Sequence, residues 1–135
     1  MNYTIEKNEQ FALLRLTESA FSDEVPAEFE TISRVLFREG YSNIIIDMDP
    51  VQSVDQGGVT TLRKTSRQCT NEDGLFIAVT KNEDLIELLD KSNLSELTIM
   101  PTVEEAIDAV FMNDLENDFK SEEDDEYDLG GSVEN

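Results

Sequence analysis

The chain has 135 residues, of which 31 are acidic and 10 are basic, and its net charge is −21. This length suffices for one domain with its own core, and the charge argues against nucleic acid and anionic membranes as partners, because both attract clustered basic residues. The sequence contains no histidine, which excludes imidazole acid–base catalysis and the usual zinc sites. We predict neither a cofactor nor a metal.

The first third of the chain predicts a β-hairpin and then a helix. Tyr3–Lys7 and Phe11–Leu16 are rich in strand-forming residues and flank a polar turn, which is typical of two antiparallel strands. Ser22–Arg38 has helical spacing, and either Ser22 or Asp23 is a candidate cap for its first turn. The apolar stripe of this helix consists of Phe29, Ile32 and Leu36.

The middle of the chain predicts a strand that leads into a helix through a sharp corner. Ile44–Met48 shows no polar alternation, so both of its faces should be buried, as in a parallel strand covered by helices. A short extended stretch, Val51–Val54, follows. Asp55 then stands directly before Gln56-Gly57-Gly58 and the helical pattern of Val59–Cys69. The corner brings a carboxylate and backbone amides together, and it is either a binding site or a tight turn.

The remaining elements are a second apolar strand at Leu75–Val79, a helix at Asn82–Lys91 capped by Asn82, and a strand at Leu97–Met100. Thr102 and Glu105 have capping-box spacing and open a last helix. The order β-β-α-β-α-β-α-β-α predicts an α/β fold with a mixed sheet flanked by helices.

The composition changes near Asn113. Residues 113–135 contain ten acidic residues and one lysine, and such a segment buries too little apolar surface to offset the entropy of ordering it. We predict one domain over residues 1–112 and a mobile acidic tail over residues 113–135, with Leu115–Phe119 left open as an extension of the last helix.

The location predicted from the sequence is cytoplasmic. The single cysteine, Cys69, cannot form a disulfide within the chain, which fits a reducing compartment. The first ten residues lack the apolar core of a secretory signal, and no apolar run approaches the roughly 20 residues that cross a bilayer.

Several motifs, in this order, resemble the STAS domain family (sulfate transporter and anti-sigma factor antagonist) over roughly residues 3–112. Ile44–Asp47 is similar to the family's central strand. The stretch Val54-Asp55-Gln56-Gly57-Gly58-Val59-x-x-Leu62 resembles the family's Asp-Ser-Ser/Thr-Gly-x-x-x-Leu signature, and residues 101–106 resemble its entry to the last helix. The resemblance implies a STAS-like mixed sheet and a small protein-binding module without enzymatic activity.

The resemblance also implies a mechanism. In the family's bacterial regulators, an antagonist captures an anti-sigma factor kinase and so releases a sigma factor; phosphorylation of a Ser or Thr at the start of the second helix then breaks the complex. Here the two hydroxyl positions after Asp55 are Gln56 and Gly57, and Gly57, which stands at the usual phosphorylated position, is not phosphorylatable. We therefore predict a docking module of bacterial transcription regulation, with an anti-sigma factor kinase as the implied partner, that lacks this switch.

An alternative keeps the fold and changes the role: a non-switching scaffold, or a self-associating subunit of a larger signalling assembly. For the docking module, the predicted partner-binding surface joins the corner to the outward side of the helix that follows. It consists of Asp55, Gln56, Gly57, Gly58, Thr60, Thr61, Lys64 and Arg67.

These residues also have plainer interpretations. Asp55 is a suitable helix N-cap, and the two glycines serve backbone geometry. The basic residues Arg63, Lys64 and Arg67 receive an acidic partner helix or this chain's own acidic tail, or they are simply solvated. Elsewhere, Asp47 and Asp49 are two residues apart at a strand end, and we interpret them as polar surface rather than as a magnesium site. Cys69 is predicted to be a small core residue.

Overall fold

A five-stranded mixed sheet, with helices on both faces, is the frame of this computed structural model. The structure describes the backbone of residues 1–134 and the side chains of residues 1–119. The elements in chain order are β1 (Tyr3–Lys7), β2 (Ala12–Leu16), β3 (Ala20–Phe21), α1 (Val25–Arg38), β4 (Ile44–Asp47), β5 (Ser53–Val54), α2 (Gln56–Asn71), β6 (Phe76–Val79), α3 (Glu83–Lys91), β7 (Leu97–Met100) and α4 (Val103–Glu134).

The strands of the main sheet lie in the order β1-β2-β4-β6-β7. β1 and β2 form the antiparallel hairpin, and the other neighbouring pairs are parallel. Ile45 at the centre pairs with Leu13 on one side and Ile77 on the other. The predicted mixed α/β architecture is therefore confirmed, with one addition: β3 and β5 pair in parallel as a small second sheet.

The central strands are buried on both faces because successive side chains point to opposite sides of a strand. Ile44 and Ile46 face a core that residues of α1, α2 and α3 complete. Ile45 faces the opposite core, which α4 closes with Ala106 and Val110. α4 thus covers one face of the sheet, and the other three helices cover the other face.

Two helices begin at positions other than those the sequence predicted. α1 begins at Val25, and neither Ser22 nor Asp23 caps it: the cap residue is Glu24, without a side-chain hydrogen bond. Asp23 adopts a left-handed φ of 58°, so the chain turns there and cannot yet be helical. α2 begins at Gln56, earlier than the Val59 expected, because both glycines join its first turn.

The caps of the last two helices agree with the sequence. The Asn82 side chain accepts a hydrogen bond from the Leu85 amide at 3.2 Å, and α3 follows it. The hydroxyl of Thr102 accepts a hydrogen bond from the Glu105 amide at 3.1 Å and donates one to the Glu105 carboxylate at 3.0 Å. The predicted capping box is confirmed.

α4 runs from Val103 to Glu134, beyond the predicted domain boundary at residue 112. Side-chain contacts tie residues 113–117 to the segments that precede β4 and β6: Asp114 accepts from Asn43 at 3.1 Å, and the side chains of Asn113 and Asn117 donate to the Asp73 carbonyl. The side chains of residues 120–135 lie outside the described part of the chain, and the mobility of the tail stays a prediction. Among the described residues, no helix combines the length and the hydropathy of a membrane span.

Candidate functional site

The corner between β5 and α2 is held by the side chain of Asp55. Its Oδ1 atom accepts a hydrogen bond from the Gly58 amide at 2.7 Å, which caps the first turn of α2. Its Oδ2 atom accepts a second hydrogen bond from the Asp23 amide at 3.1 Å. The N-cap interpretation of Asp55 is confirmed, and the same carboxylate also fastens the turn before α1.

These two amides lower the pKa of Asp55 below its ordinary value of 3.8, with the Gly58 bond as the larger cause and the Asp23 bond as the second. A carboxylate that accepts backbone hydrogen bonds is favoured in its charged form. The side chain is therefore negative at neutral pH, and its charge lies at the amino end of α2, where the helix dipole favours an anion.

The two glycines of the corner differ in their surroundings. Gly57 is exposed, and a Cβ atom placed there would meet only the Asp55 Oδ1 atom, at an ordinary 3.5 Å. Gly58 is buried, and a Cβ atom there would lie 2.6 Å from the Phe21 carbonyl oxygen and 2.7 Å from Val54 Cγ1. The predicted role in backbone geometry thus applies to Gly58, which lets α2 approach β3 and β5, whereas Gly57 has open space.

Three of the four residues predicted on the outward side of α2 are exposed, and one is buried. Thr60, Lys64 and Arg67 are exposed. Thr61 is buried, at 5% exposure, so the prediction that it lies on the outer surface is wrong. Because α2 packs against α1 as well as against the sheet, it buries a wider face than its apolar residues indicate, and Thr61 and Thr65 lie within that face.

The predicted basic cluster on α2 is divided among three contacts. The Arg63 guanidinium donates to the Ser92 carbonyl at 2.9 Å and so joins α2 to the end of α3. Lys64 lies 3.8 Å from a carboxylate oxygen of Glu30 on α1, and Arg67 lies 3.7 Å from one of Glu96. Exposed pairs of this kind contribute little to stability. Lys64 and Arg67 remain accessible, whereas Arg63 is a structural residue.

The other candidates are explained by their neighbours. Asp47 accepts from Arg15 through Oδ2 at 3.2 Å and from the Asp49 amide through Oδ1 at 3.1 Å, so both of its oxygens are engaged. Among the residues that the structure describes, no three potential ligand side chains converge on a metal position. Cys69 is buried as predicted, and burial raises the pKa of its thiol to about 12.

Two residues important for this region were not among the site residues predicted from the sequence. Asp23 supplies the amide that fixes the second oxygen of Asp55, and Glu30 lies beside Lys64 across the groove between α1 and α2. Neither belongs to the local pattern around the corner. An aspartate just before a helical stretch is the one signal that could have indicated a left-handed turn, because Asp tolerates that conformation better than most residues.

The chain matches a known domain family in sequence and several solved structures in fold. The sequence model of the STAS domain matches residues 2–106. No curated protein sequence matches the chain significantly. Among solved structures, a putative anti-sigma factor antagonist from Thermotoga maritima superposes with a TM-score of 0.71 at 20% identity, covering 80% of this chain and 93% of its own.

The anti-sigma factor antagonist SpoIIAA is also similar, in two forms. Its unphosphorylated form superposes with a TM-score of 0.65 at 20% identity, covering 81% of this chain and 97% of its own. The phosphorylated form, described as a Bacillus cell fate determinant, superposes with a TM-score of 0.64 at 19% identity, covering 81% and 99%. At this level of identity the likeness shows a common fold.

Proposed function

Because this chain belongs to the STAS domain family, we propose that it is a docking module of bacterial regulation in the cytoplasm that binds a protein partner through the corner before α2. The chemistry is recognition without bond making or breaking. The docking surface, as we define it, comprises Gln56, Gly57, Thr60, Lys64 and Arg67, with Asp55 and Gly58 as its support.

The observation that carries this proposal is that the corner is fixed before any partner arrives. Both oxygens of Asp55 are bound to amides, and the buried Gly58 lies against Phe21, while Gln56 and Gly57 stay in solvent. A surface that is already ordered loses little conformational entropy on binding. The partner we propose is an anti-sigma factor kinase, since the similar Thermotoga maritima protein and SpoIIAA are described as anti-sigma factor antagonists.

We further propose that this module docks without a phosphorylation switch. SpoIIAA is known in unphosphorylated and phosphorylated forms, whereas here neither Gln56 nor Gly57 carries a hydroxyl. Thr60 is the nearest exposed hydroxyl on α2, one helical turn from Gln56. Control of binding then comes from the amount of protein, from a second subunit or from the acidic tail.

A bulky side chain at Gly57 tests the docking surface. Gly57→Trp should fold normally, because the position has open space, and should weaken binding to purified anti-sigma factor kinases of the same genome at least about tenfold, or ~1.4 kcal/mol. Thr4→Trp, on the exposed edge strand β1, is the matched control. Isothermal titration calorimetry gives both affinities.

Binding that survives Gly57→Trp, or that Thr4→Trp weakens equally, would refute the docking surface. If the chain binds none of the kinases but self-associates in gel filtration, the alternative role holds, in which it is a self-associating scaffold subunit. In that case the role proposed here is wrong, and the fold is not affected.

The missing switch has its own test, with the kinase that binds the chain, ATP and intact-mass spectrometry. We expect no phosphate on the native chain, and one phosphate on Gln56→Ser or Gly57→Ser, each of which restores a hydroxyl to the exposed corner. A phosphate on the native chain that maps to residues 56–61 would refute the proposal that the phosphorylation switch is missing.

A further inference from the structure

The solvent side of α4 carries an apolar stripe. Met112, Leu115 and Phe119 are 57%, 52% and 58% exposed, although large apolar side chains on a packed helix usually face the core. Their spacing of three and four residues places them on one side of the helix. We define these three residues as the α4 stripe.

The opposite side of the same helical segment is attached to the domain, which fixes the direction of the stripe. Asp114 accepts from the buried Asn43, and the side chains of Asn113 and Asn117 donate to the Asp73 carbonyl at 2.9 and 2.8 Å. Alanine and valine residues one and two turns earlier pack into the sheet. Because these contacts prevent the helix from rolling, the stripe cannot turn inward within the domain.

Acidic side chains surround the stripe. Five exposed carboxylates lie within the described part of the same helix, on or beside its outer face: Glu104, Glu105, Asp108, Glu116 and Asp118. A second copy of this chain would bring a like-charged face against them, and each molecule has a net charge of −21. Like charges facing each other disfavour such a pair, whereas a cationic partner is attracted over a long distance.

We propose that the α4 stripe is a second docking surface, which binds a basic amphipathic helix of another protein. The three apolar side chains supply the contacts that a helix in such a complex buries, and the flanking carboxylates meet Lys or Arg on either side of it. The surface is separate from the corner before α2, because α4 and α2 cover opposite faces of the sheet.

A synthetic peptide of known design tests the proposal with the full-length chain. The probe is a fluorescein-labelled Leu/Lys amphipathic helix about four turns long, with a scrambled Leu/Lys peptide and a Leu/Glu helix as comparisons. Fluorescence anisotropy should show binding of the Leu/Lys helix, with at least about tenfold weaker binding of the scrambled peptide and none of the Leu/Glu helix.

Variants then distinguish the stripe from the general negative charge. Met112→Gln, Leu115→Gln and Phe119→Gln together should weaken binding of the Leu/Lys helix at least about tenfold, with the net charge unchanged. The control replaces two exposed apolar residues elsewhere, Val35→Gln and Leu88→Gln, and should leave the affinity unchanged. Circular dichroism verifies that each variant is folded.

Equal affinity of the native chain and the stripe variant would show that charge alone attracts the peptide and would overturn the proposal. So would sedimentation that finds a native dimer which the stripe variant abolishes, since the occupant would then be a second copy. Gly57→Trp should leave peptide binding unaffected, so failure at the α4 stripe and failure at the corner before α2 are distinguishable.

Discussion

The carboxylate of Asp55 joins the start of α2 to a turn that lies 32 residues earlier in the chain, through the amides of Asp23 and Gly58. The first residue begins the turn before α1, and the second lies in the first turn of α2. One side chain therefore sets both the start of α2 and the position of the β3–α1 turn beside it. A charged acceptor makes stronger hydrogen bonds than a neutral one, so this function depends on the ionisation of Asp55.

The stability that Asp55 supplies should depend on pH. Because folding lowers its pKa from 3.8, the contribution is complete well above that value and is lost as the pH falls through the lower pKa of the folded state. We expect native protein to exceed Asp55→Asn in free energy of unfolding by a constant amount above about pH 5, and by a shrinking amount below about pH 4. Urea titrations across this range provide the measurement, and a difference independent of pH would contradict it.

The side chain of Asn43 connects two strands and a helix. It is buried, at 2% exposure, just before β4. Its amide group donates to the Gln10 carbonyl at 2.9 Å and to Asp114 of α4, and its oxygen accepts from the Leu75 amide at 2.8 Å. Asn43 thus holds α4, near Asp114, against the ends of the sheet strands at which β2, β4 and β6 begin.

Removing this side chain should destabilise the whole domain. Asn43→Ala leaves the Leu75 amide and the Gln10 carbonyl without this partner in a part-buried position, at a cost of about 2 kcal/mol in the free energy of unfolding. Asn117→Ala removes one exposed hydrogen bond and should cost less than about 1 kcal/mol. Urea denaturation compares the two, and similar losses would show that Asn43 has no special role.

The elements that the sequence predicted are those whose signal is local. The apolar, β-branched run Ile44–Ile46 predicted a buried strand, and Thr102 and Glu105 predicted a helix cap by spacing alone. β3 escaped prediction because two residues form a strand only when the distant β5 lies beside them. Thr61 was misplaced for a similar reason: α2 packs against α1 as well as against the sheet, and no pattern within α2 reveals that second contact.

In the candidate site too, features set by neighbours in sequence were predicted, and features set by distant elements were not. The position of Asp55 before a helix predicted its cap, since a cap is defined by neighbours in sequence. The sequence could not predict that Arg63 is structural while Lys64 and Arg67 stay accessible. That difference depends on Ser92 and on acidic residues outside α2.

At the scale of the whole molecule, the excess of acidic residues works against the folded state. Only ten basic residues are available to offset 31 acidic ones, and the ion pairs among the described residues lie mostly at the surface. A compact chain with this charge repels itself, and dissolved salt weakens that repulsion.

Salt should therefore stabilise the protein. Raising sodium chloride from about 0.05 to 0.5 M near neutral pH should increase the free energy of unfolding by about 1 kcal/mol, as screening shortens the range of the repulsion. Thermal unfolding monitored by circular dichroism serves as the measurement. An unchanged or lower midpoint at high salt would mean that the acidic residues are already far enough apart to be independent.

The burial of Cys69 has a practical consequence. It is the only thiol in the chain, and it is enclosed between α2 and the sheet with its pKa raised to about 12. Thiol-directed dyes and spin labels react with the thiolate, so they leave the native molecule untouched. A cysteine introduced at any exposed position becomes a single attachment point for such a probe, with no need to engineer the original one away.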